Sequence, residues 1–345
     1  MISELNIASR LWESMYLCYG DIAILENQYD SAKKWVDYEL AHAADANPNY
    51  ADMPWYAEPE DAKWIWDTCF HFGEWLEAGI MPDRSRNPVQ YPDLWVATAY
   101  MGYSARLVSK MAAILGHKDD AQKYADAADE IARVYNRYLI ADDGTVVEGH
   151  QASNLRVLAL GICDEAHKKA VADKLADMIN ANGGHLNTGF LSTPFLLSTL
   201  VDTGHADVAY MLLEQKSSPS WLHNVIMGAT TIPEGWDGLD TLHGSLNHYS
   251  YGAVCDFMFN YIAGIRLIPE KPGWQKFRIQ PVPGGTLAHA CAEFESPYGM
   301  IKSAWEKNDG KITYSITIPA NSTAEVIIPG METMTLGSGE YSFTL

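Results

Sequence analysis

The sequence is short of positive charge and has no paired cysteines, and each shortage excludes something. Lys plus Arg number 24 against 44 Asp plus Glu, a formal net charge of -20. Such a surface repels a polyanion, and no Lys/Arg-rich run offsets it locally, which excludes nucleic-acid binding. The five cysteines, Cys18, Cys69, Cys163, Cys255 and Cys291, are odd in number and scattered, with no C-x-x-C pair. That spacing argues against a disulfide framework and a zinc knuckle, and the expectation is buried free thiols. No stretch reaches the roughly 18 consecutive apolar residues of a membrane span. Residues 1–20 carry Glu4 early and lack a long apolar core, so they do not read as a secretory leader. The expectation is a soluble chain without membrane association, cytoplasmic if it is complete.

What is present is helical periodicity, up to about residue 265. Helices are expected over residues 3–19, 22–43, 60–78, 89–116, 118–138, 150–162, 165–182, 190–201, 205–216 and 245–264. Gly20-Asp21, Gly116-His117-Lys118 and Gly204 supply the breaks between them. The stretch from Leu94 to Leu115 is apolar on several faces, as a helix buried among other helices must be. From about 267 the period shortens to two, in 274–279, 301–305, 311–318, 324–328 and 341–345. Turns at Pro281–Gly285, Ser296–Gly299 and Asn308–Gly310 separate these strands, which points to a small antiparallel sheet unit. Two domains follow, 1–266 helical and 267–345 β-rich. Antiparallel-looking helices make either an α-solenoid or a closed toroid, and the absence of a fixed-period repeat disfavours the solenoid. A toroid of six hairpins needs twelve helices and about ten are read, so either two go unread or the chain begins part-way through the ring with its first helices missing.

Chemistry is concentrated between 183 and 264, where small residues, aromatics and single acids interleave in loops. Gly183–Pro194, Pro219–Leu222, Gly228–Gly238 and Ser245–Gly252 all have this character. Sugar sites are built this way, from aromatic faces that stack on C–H-rich sugar faces and a few polar groups that fix hydroxyls. Glu234 stands between Pro233 and Gly235 and is followed by Trp236 and Asp237. A glutamate in such a loop is usually only solvated. A carboxylate held beside a Trp, however, can have a tuned pKa and serve as a general base. His248, taken alone, is more often a hydrogen-bonded structural histidine. His71 and Glu74 have i,i+3 spacing but no third ligand motif, so no metal site is expected, and no cofactor motif is present.

The run Gly-Ala-Thr-Thr-Ile-x-Glu-x-Trp-Asp-Gly over 228–238, followed by Asn247-His248-Tyr249-x-Tyr251-Gly252-Ala253-Val254, resembles the signature of glycoside hydrolase family 78, the α-L-rhamnosidases. Other segments are similar to that family in the same order. They are Tyr19-Gly20-Asp21, Trp35–Tyr38, His71–Leu76, Ala97–Tyr100, Gly189–Pro194, Ser296–Gly299 and Ile318–Thr323. The resemblance implies an (α/α)6 barrel followed by a β-sandwich, and inverting hydrolysis of terminal α-L-rhamnosides from a rhamnose-containing glycoside or polysaccharide. One carboxylic acid then protonates the leaving oxygen while a second carboxylate activates water on the opposite face. Carried onto this chain, Glu234 matches the general base and His248 a sugar-contacting histidine. Trp75 matches an aromatic subsite wall, and Trp236 and Asp237 stand beside Glu234 as further substrate contacts.

Two departures bear on that inference. The family's general acid lies in an Asp-Cys-Pro-x-Arg-(Asp)-Glu segment upstream of the Tyr-Gly-Asp motif, and nothing in this chain matches it. Ser3-Glu4-Leu5-Asn6 stands where the family usually has Gly-Trp-Gly-Asp, and Pro233 where it often has an aromatic. Glu58, Glu60, Asp61 and Asp67 are the first alternatives for an acid within the chain. A catalytically impaired sugar-binding remnant is a second reading. A polysaccharide lyase on the same kind of toroid is a third, disfavoured because an acidic polysaccharide calls for a basic cleft.

Overall fold

The computed structural model describes residues 13–79, 93–147, 149–236 and 244–345. They form two compact units, one built on Leu25–Tyr251 and the other on Gly252–Leu345 with Ser14–Ile24.

The first unit is helical. Its longer helices are α1 (Ile22–Ala43), α2 (Leu94–Leu115), α3 (Lys118–Leu139), α4 (Gln151–Ala159), α5 (Lys168–Ala181), α6 (Thr193–Asp202), α7 (Ala206–Leu213) and α8 (Trp221–Ile226). Helix α2 starts where the Asp93 carboxylate accepts the Val96 N–H at 3.2 Å, which satisfies one of the orphan donors of the first turn. It stops at Gly116, whose φ of 84° suits a left-handed cap. Helix α3 then folds back along α2. It buries Tyr124, Ala127, Ala128, Ile131, Val134, Tyr135 and Leu139 at three- and four-residue spacing and turns Lys, Asp and Glu outward. Asn154 of α4 is fully buried and ties three segments together. Its amide donates to Gly144 O at 2.8 Å and Val171 O at 3.1 Å, and its oxygen accepts the Val146 N–H at 3.3 Å.

Most of the expected helices are present within a few residues of their expected ends. Residues 13–19 are helical, and the remainder of the 3–19 expectation, like residues 89–92, lies outside the described residues. The helix expected over 60–78 is a correction, because only Pro59–Ala62 is helical there. Beyond it, side chains hold the backbone in other conformations. Asn47 donates to Asp67 O at 2.7 Å, the Trp66 N–H donates to Thr98 Oγ1 at 3.0 Å, and the Thr68 hydroxyl donates to His42 O at 2.9 Å. Cys69, Gly73, Trp75 and Leu76 all have positive φ, which no right-handed helix tolerates. The helix expected over 245–264 is broken into Tyr249–Gly252, Val254–Phe257 and a π-helical turn at Met258–Ile262. Helix α8 was not expected. Ser220 caps it by accepting the His223 N–H at 3.1 Å.

The second unit carries β1 (Ile265–Leu267), β2 (Lys276–Ile279), β3 (His289–Ser296), β4 (Gly299–Asn308), β5 (Lys311–Ile318), β6 (Thr323–Val326), β7 (Met334–Leu336) and β8 (Gly339–Thr344). They make two four-stranded sheets, ordered β1-β2-β6-β7 and β3-β4-β5-β8. The second sheet is antiparallel throughout. In the first, β2 and β6 run parallel, one exception in a module that is otherwise antiparallel as expected. The cause is connectivity, since the chain leaves β5 at Ile318 and enters the other sheet at Thr323 beside β2. Alternation on β4 buries Ile301, Ser303 and Trp305. Trp274 touches Phe277 of one sheet and Phe294 of the other, with ring centroids 6.4 and 4.5 Å away.

All five cysteines are free, but none is fully buried, contrary to expectation, and Cys255 and Cys291 are exposed. For Cys291 the reason is strand parity, which turns it to the outer side of β3. Among the described residues no helix is long and apolar enough to cross a membrane.

Candidate active site

Pro233 and Gly235 keep the segment around Glu234 out of a helix, and the loop pairs instead with the segment preceding Tyr249. The His248 N–H donates to Ile232 O at 2.8 Å and the Glu234 N–H donates to Ser245 O at 2.8 Å. The Thr231 hydroxyl adds a bond to Leu246 O at 2.5 Å. Glu234 is half-buried, and its Oε2 accepts the Ser245 N–H at 3.0 Å. Gly244, with φ of 77°, lies under that oxygen, and a Cβ there would stand 3.1 Å from it.

His248 sits on the partner segment. Its Nδ1 accepts the Ser250 N–H at 3.3 Å, so in the neutral ring the proton resides on Nε2. The imidazole packs against Phe190 edge-on at 5.0 Å and is stacked with Tyr249 at 5.0 Å.

Trp236 is packed rather than open. Its indole stacks on Tyr251 at 4.1 Å, meets Trp221 edge-on at 5.3 Å and donates Nε1–H to Thr188 O at 3.2 Å. Trp75 is the reverse, with 51% of its surface exposed. Phe72 and Phe70 continue from it as a row of exposed rings in edge contact, 5.7 and 4.9 Å between centroids. The backbone of Trp75 is nevertheless fixed. Its carbonyl accepts the Phe190 N–H at 2.8 Å, and the next carbonyl, of Leu76, accepts the Tyr251 hydroxyl at 3.1 Å. Thr188, Phe190 and Tyr251 therefore connect Trp75, Trp236 and His248, and His248 shares a backbone pairing with the Glu234 loop. Asp237 lies outside the described residues.

His71 and Glu74 are not on a helix and have separate partners. The His71 ring bonds Thr68 O at 2.9 Å. Burial drives its pKa down to about 4. Glu74 is buried, with Oε1 accepting the Ser192 N–H at 2.8 Å and Oε2 accepting the Ser192 hydroxyl at 2.7 Å and Arg156 at 3.1 Å. Burial raises the Glu74 pKa, opposed by Arg156 and the Ser192 hydroxyl. Sequence reasoning missed this trio, whose members become neighbours only on folding. The only sequence signal was Glu74 in one family-like motif, with Ser192 at an unspecified position of another.

The alternative acids differ sharply. Asp61 is held by Arg133 at 2.6 Å, Arg137 at 2.8 Å and the Tyr138 hydroxyl at 2.8 Å, a structural ion-pair cluster that keeps its carboxyl low. Glu60 pairs with Lys63 at 2.6 Å on the surface. Glu58 is exposed. Asp67 is buried, with the Tyr56 hydroxyl donating to Oδ2, and burial pushes it up to about 6.

The comparisons with known proteins assign the helical unit to the six-hairpin glycosidase class, with the two-sheet unit as its C-terminal domain. The family described as bacterial alpha-L-rhamnosidase 6 hairpin glycosidase domain matches residues 7–262, and the bacterial alpha-L-rhamnosidase C-terminal domain matches 264–342. The chain belongs to the bacterial α-L-rhamnosidase family, as its motifs indicated. An alpha-L-rhamnosidase of Streptomyces avermitilis is 33% identical over 358 aligned positions, covering 96% of this chain and 32% of that protein. One from Formosa agariphila is 31% identical, covering 96% and 34% respectively. The chain thus spans about a third of the length of the curated relatives it matches. The crystal structure of the Streptomyces avermitilis alpha-L-rhamnosidase complexed with L-rhamnose superposes with a TM-score of 0.80 at 32% identity, covering 96% of this chain and 32% of that one. The native enzyme of Aspergillus terreus superposes at 0.84 and 27% identity, covering 99% and 38%.

Proposed function

We propose that this chain carries the base-bearing part of a site for inverting hydrolysis of terminal α-L-rhamnosides, with a rhamnose-containing glycoside or polysaccharide as substrate. Residues 1–266 make the helical catalytic domain and 267–345 its β module. The observation that supports the reading best is the paired segment that holds the half-buried Glu234 carboxylate through Ser245 and carries His248 three residues further on.

In this reading Glu234 removes a proton from the water that attacks the anomeric carbon, so that the C–O bond to the leaving group breaks as the new one forms on the opposite face. His248 offers Nε2–H to a sugar hydroxyl, and the exposed indole of Trp75 stacks against the C–H face. Trp236 supports the loop from behind, and Asp237 is the remaining polar contact. Protonation of the leaving oxygen is not assigned to any described residue of this chain.

The test is hydrolysis of p-nitrophenyl α-L-rhamnoside, whose leaving group needs little protonation, by the wild type and by Glu234→Gln. The expected result is slow turnover by the wild type that falls about a hundredfold or more in the variant, with alkyl rhamnosides hardly cleaved by either. Equal turnover by the two proteins would remove Glu234 from the chemistry.

A further inference from the structure

Trp75 and Leu76 are consecutive non-glycine residues at φ of 55° and 58°. Left-handed backbone is disfavoured for L-residues, so two in succession persist only where the surroundings impose them. The surroundings are the Gly189–Ser192 turn. Gly189 lies so close that a Cβ would stand 2.2 Å from Trp75 O and 2.8 Å from Glu74 O. Phe190 N–H bonds Trp75 O at 2.8 Å, and two residues further on both polar atoms of Ser192 bond the Glu74 carboxylate.

We propose that Glu74 is a positioning residue, whose buried carboxylate locks the Gly189–Ser192 turn against the Trp75–Leu76 backbone and so sets the exposed Trp75 ring and His248 as one sugar-contacting wall. The second half of the link is Phe190, whose carbonyl accepts the Ser250 hydroxyl at 2.8 Å and whose ring meets His248 at 5.0 Å. Glu74 and Arg156 are 4% and 2% exposed. A buried ion pair is a poor device for stability alone, because desolvation of both charges offsets their attraction. Its directional contacts do, however, fix geometry, which apolar side chains of the same volume would not. An isosteric Gln cannot replace the carboxylate. With one oxygen kept for the Ser192 N–H, its NH2 group faces the Arg156 donors.

This inference rests on the rhamnoside-site reading, and two measurements separate them. The first is amide hydrogen exchange at Phe190, which needs no sugar. Protection there is expected to fall about tenfold or more in Glu74→Gln, and less in Ser192→Ala, which keeps the charge pair and the main-chain bond and guards against a misfolded Gln variant. The second is calorimetric titration with L-rhamnose. Glu74→Gln is expected to weaken binding at least threefold, and to weaken it by a smaller factor when Trp75 is already Ala, because only the His248 contact is then left to lose. A merely structural role would lower the two affinities multiplicatively. Unchanged Phe190 protection, unchanged affinity, or independent effects in the double variant would each overturn the proposal. A wild type that binds no L-rhamnose contradicts the sugar-site reading itself, and the exchange result still decides whether Glu74 holds the turn.

Discussion

Glu234 and Ser245 are joined twice: the Glu234 N–H donates to Ser245 O at 2.8 Å, and the Glu234 Oε2 accepts the Ser245 N–H at 3.0 Å. Both bonds run to main-chain atoms, so the carboxylate is positioned by the backbone of the partner segment and not by a side chain that can rotate away. Gly244 is the weak point of this arrangement. Gly244→Ala places a methyl 3.1 Å from Oε2 at a φ of 77°. The expected outcome is about a tenfold loss of p-nitrophenyl α-L-rhamnoside turnover, with destabilisation of only about 1 kcal/mol. Steady-state kinetics and thermal unfolding of the same preparation check both parts.

Asp67 makes stability depend on pH. Its carboxyl is pushed up to about 6, above an unfolded value near 3.8, because burial penalises the charge. The protonated form is the one the fold prefers, so the stability it contributes is complete below about 3.8 and is lost as pH rises through about 6. Asp67→Asn keeps an acceptor for the Tyr56 hydroxyl and removes the charge. It is expected to unfold later than the wild type in urea at pH 7.5, by up to about 2 kcal/mol, and to match it at pH 4.

His71 acts in the opposite sense. Burial lowers its pKa to about 4 from an ordinary value of 6.5. The neutral ring contributes stability that is complete above about 6.5 and is lost as pH falls toward 4. His71→Gln keeps a donor for Thr68 O but cannot charge. It is expected to flatten the acid side of the stability profile between pH 6.5 and 4, measured as urea midpoints against pH.

Gly144 tests the packing of the helical unit away from the site. Its φ is 80°, and a Cβ there would lie 2.2 Å from Ala170 O and 2.7 Å from Val171 N, both rigid backbone atoms of α5. Gly144→Ala is expected to cost more than about 2 kcal/mol, read from thermal unfolding. Hydrolysis at low temperature should be unaffected.

How much of this was legible in the sequence depended on where the constraint lay. Helices α2 and α3 were read within a few residues because Gly116 separates them and their apolar spacing is regular. The strands β4 and β5 were read from alternation, whereas β1 and β7, three residues each, are too short to show a period. The segment from Lys63 to Ala78 was misread as a helix. Its aromatic spacing mimics one, while its conformation is imposed by Asn47, Thr98 and His42 from elsewhere in the chain. Glu234 and His248 were singled out because they lie in one continuous, unusual stretch of loop. Glu74 was weighed only with His71 as a metal pair, since its partners Arg156 and Ser192 lie 82 and 118 residues away. The parallel pairing of β2 with β6 was illegible for a similar reason, because it is set by a crossover between sheets and not by either strand.

The most direct test of the site is a calorimetric titration of the wild type with L-rhamnose, repeated on Trp75→Ala and His248→Ala and with D-glucose as control. A stacking face and a single hydrogen bond are each worth about 0.5–1.5 kcal/mol. Saturable binding of L-rhamnose alone is predicted, weakened by roughly three- to tenfold in each variant. Absence of binding, or binding that neither substitution alters, would contradict the assignment of this loop cluster as the rhamnoside site.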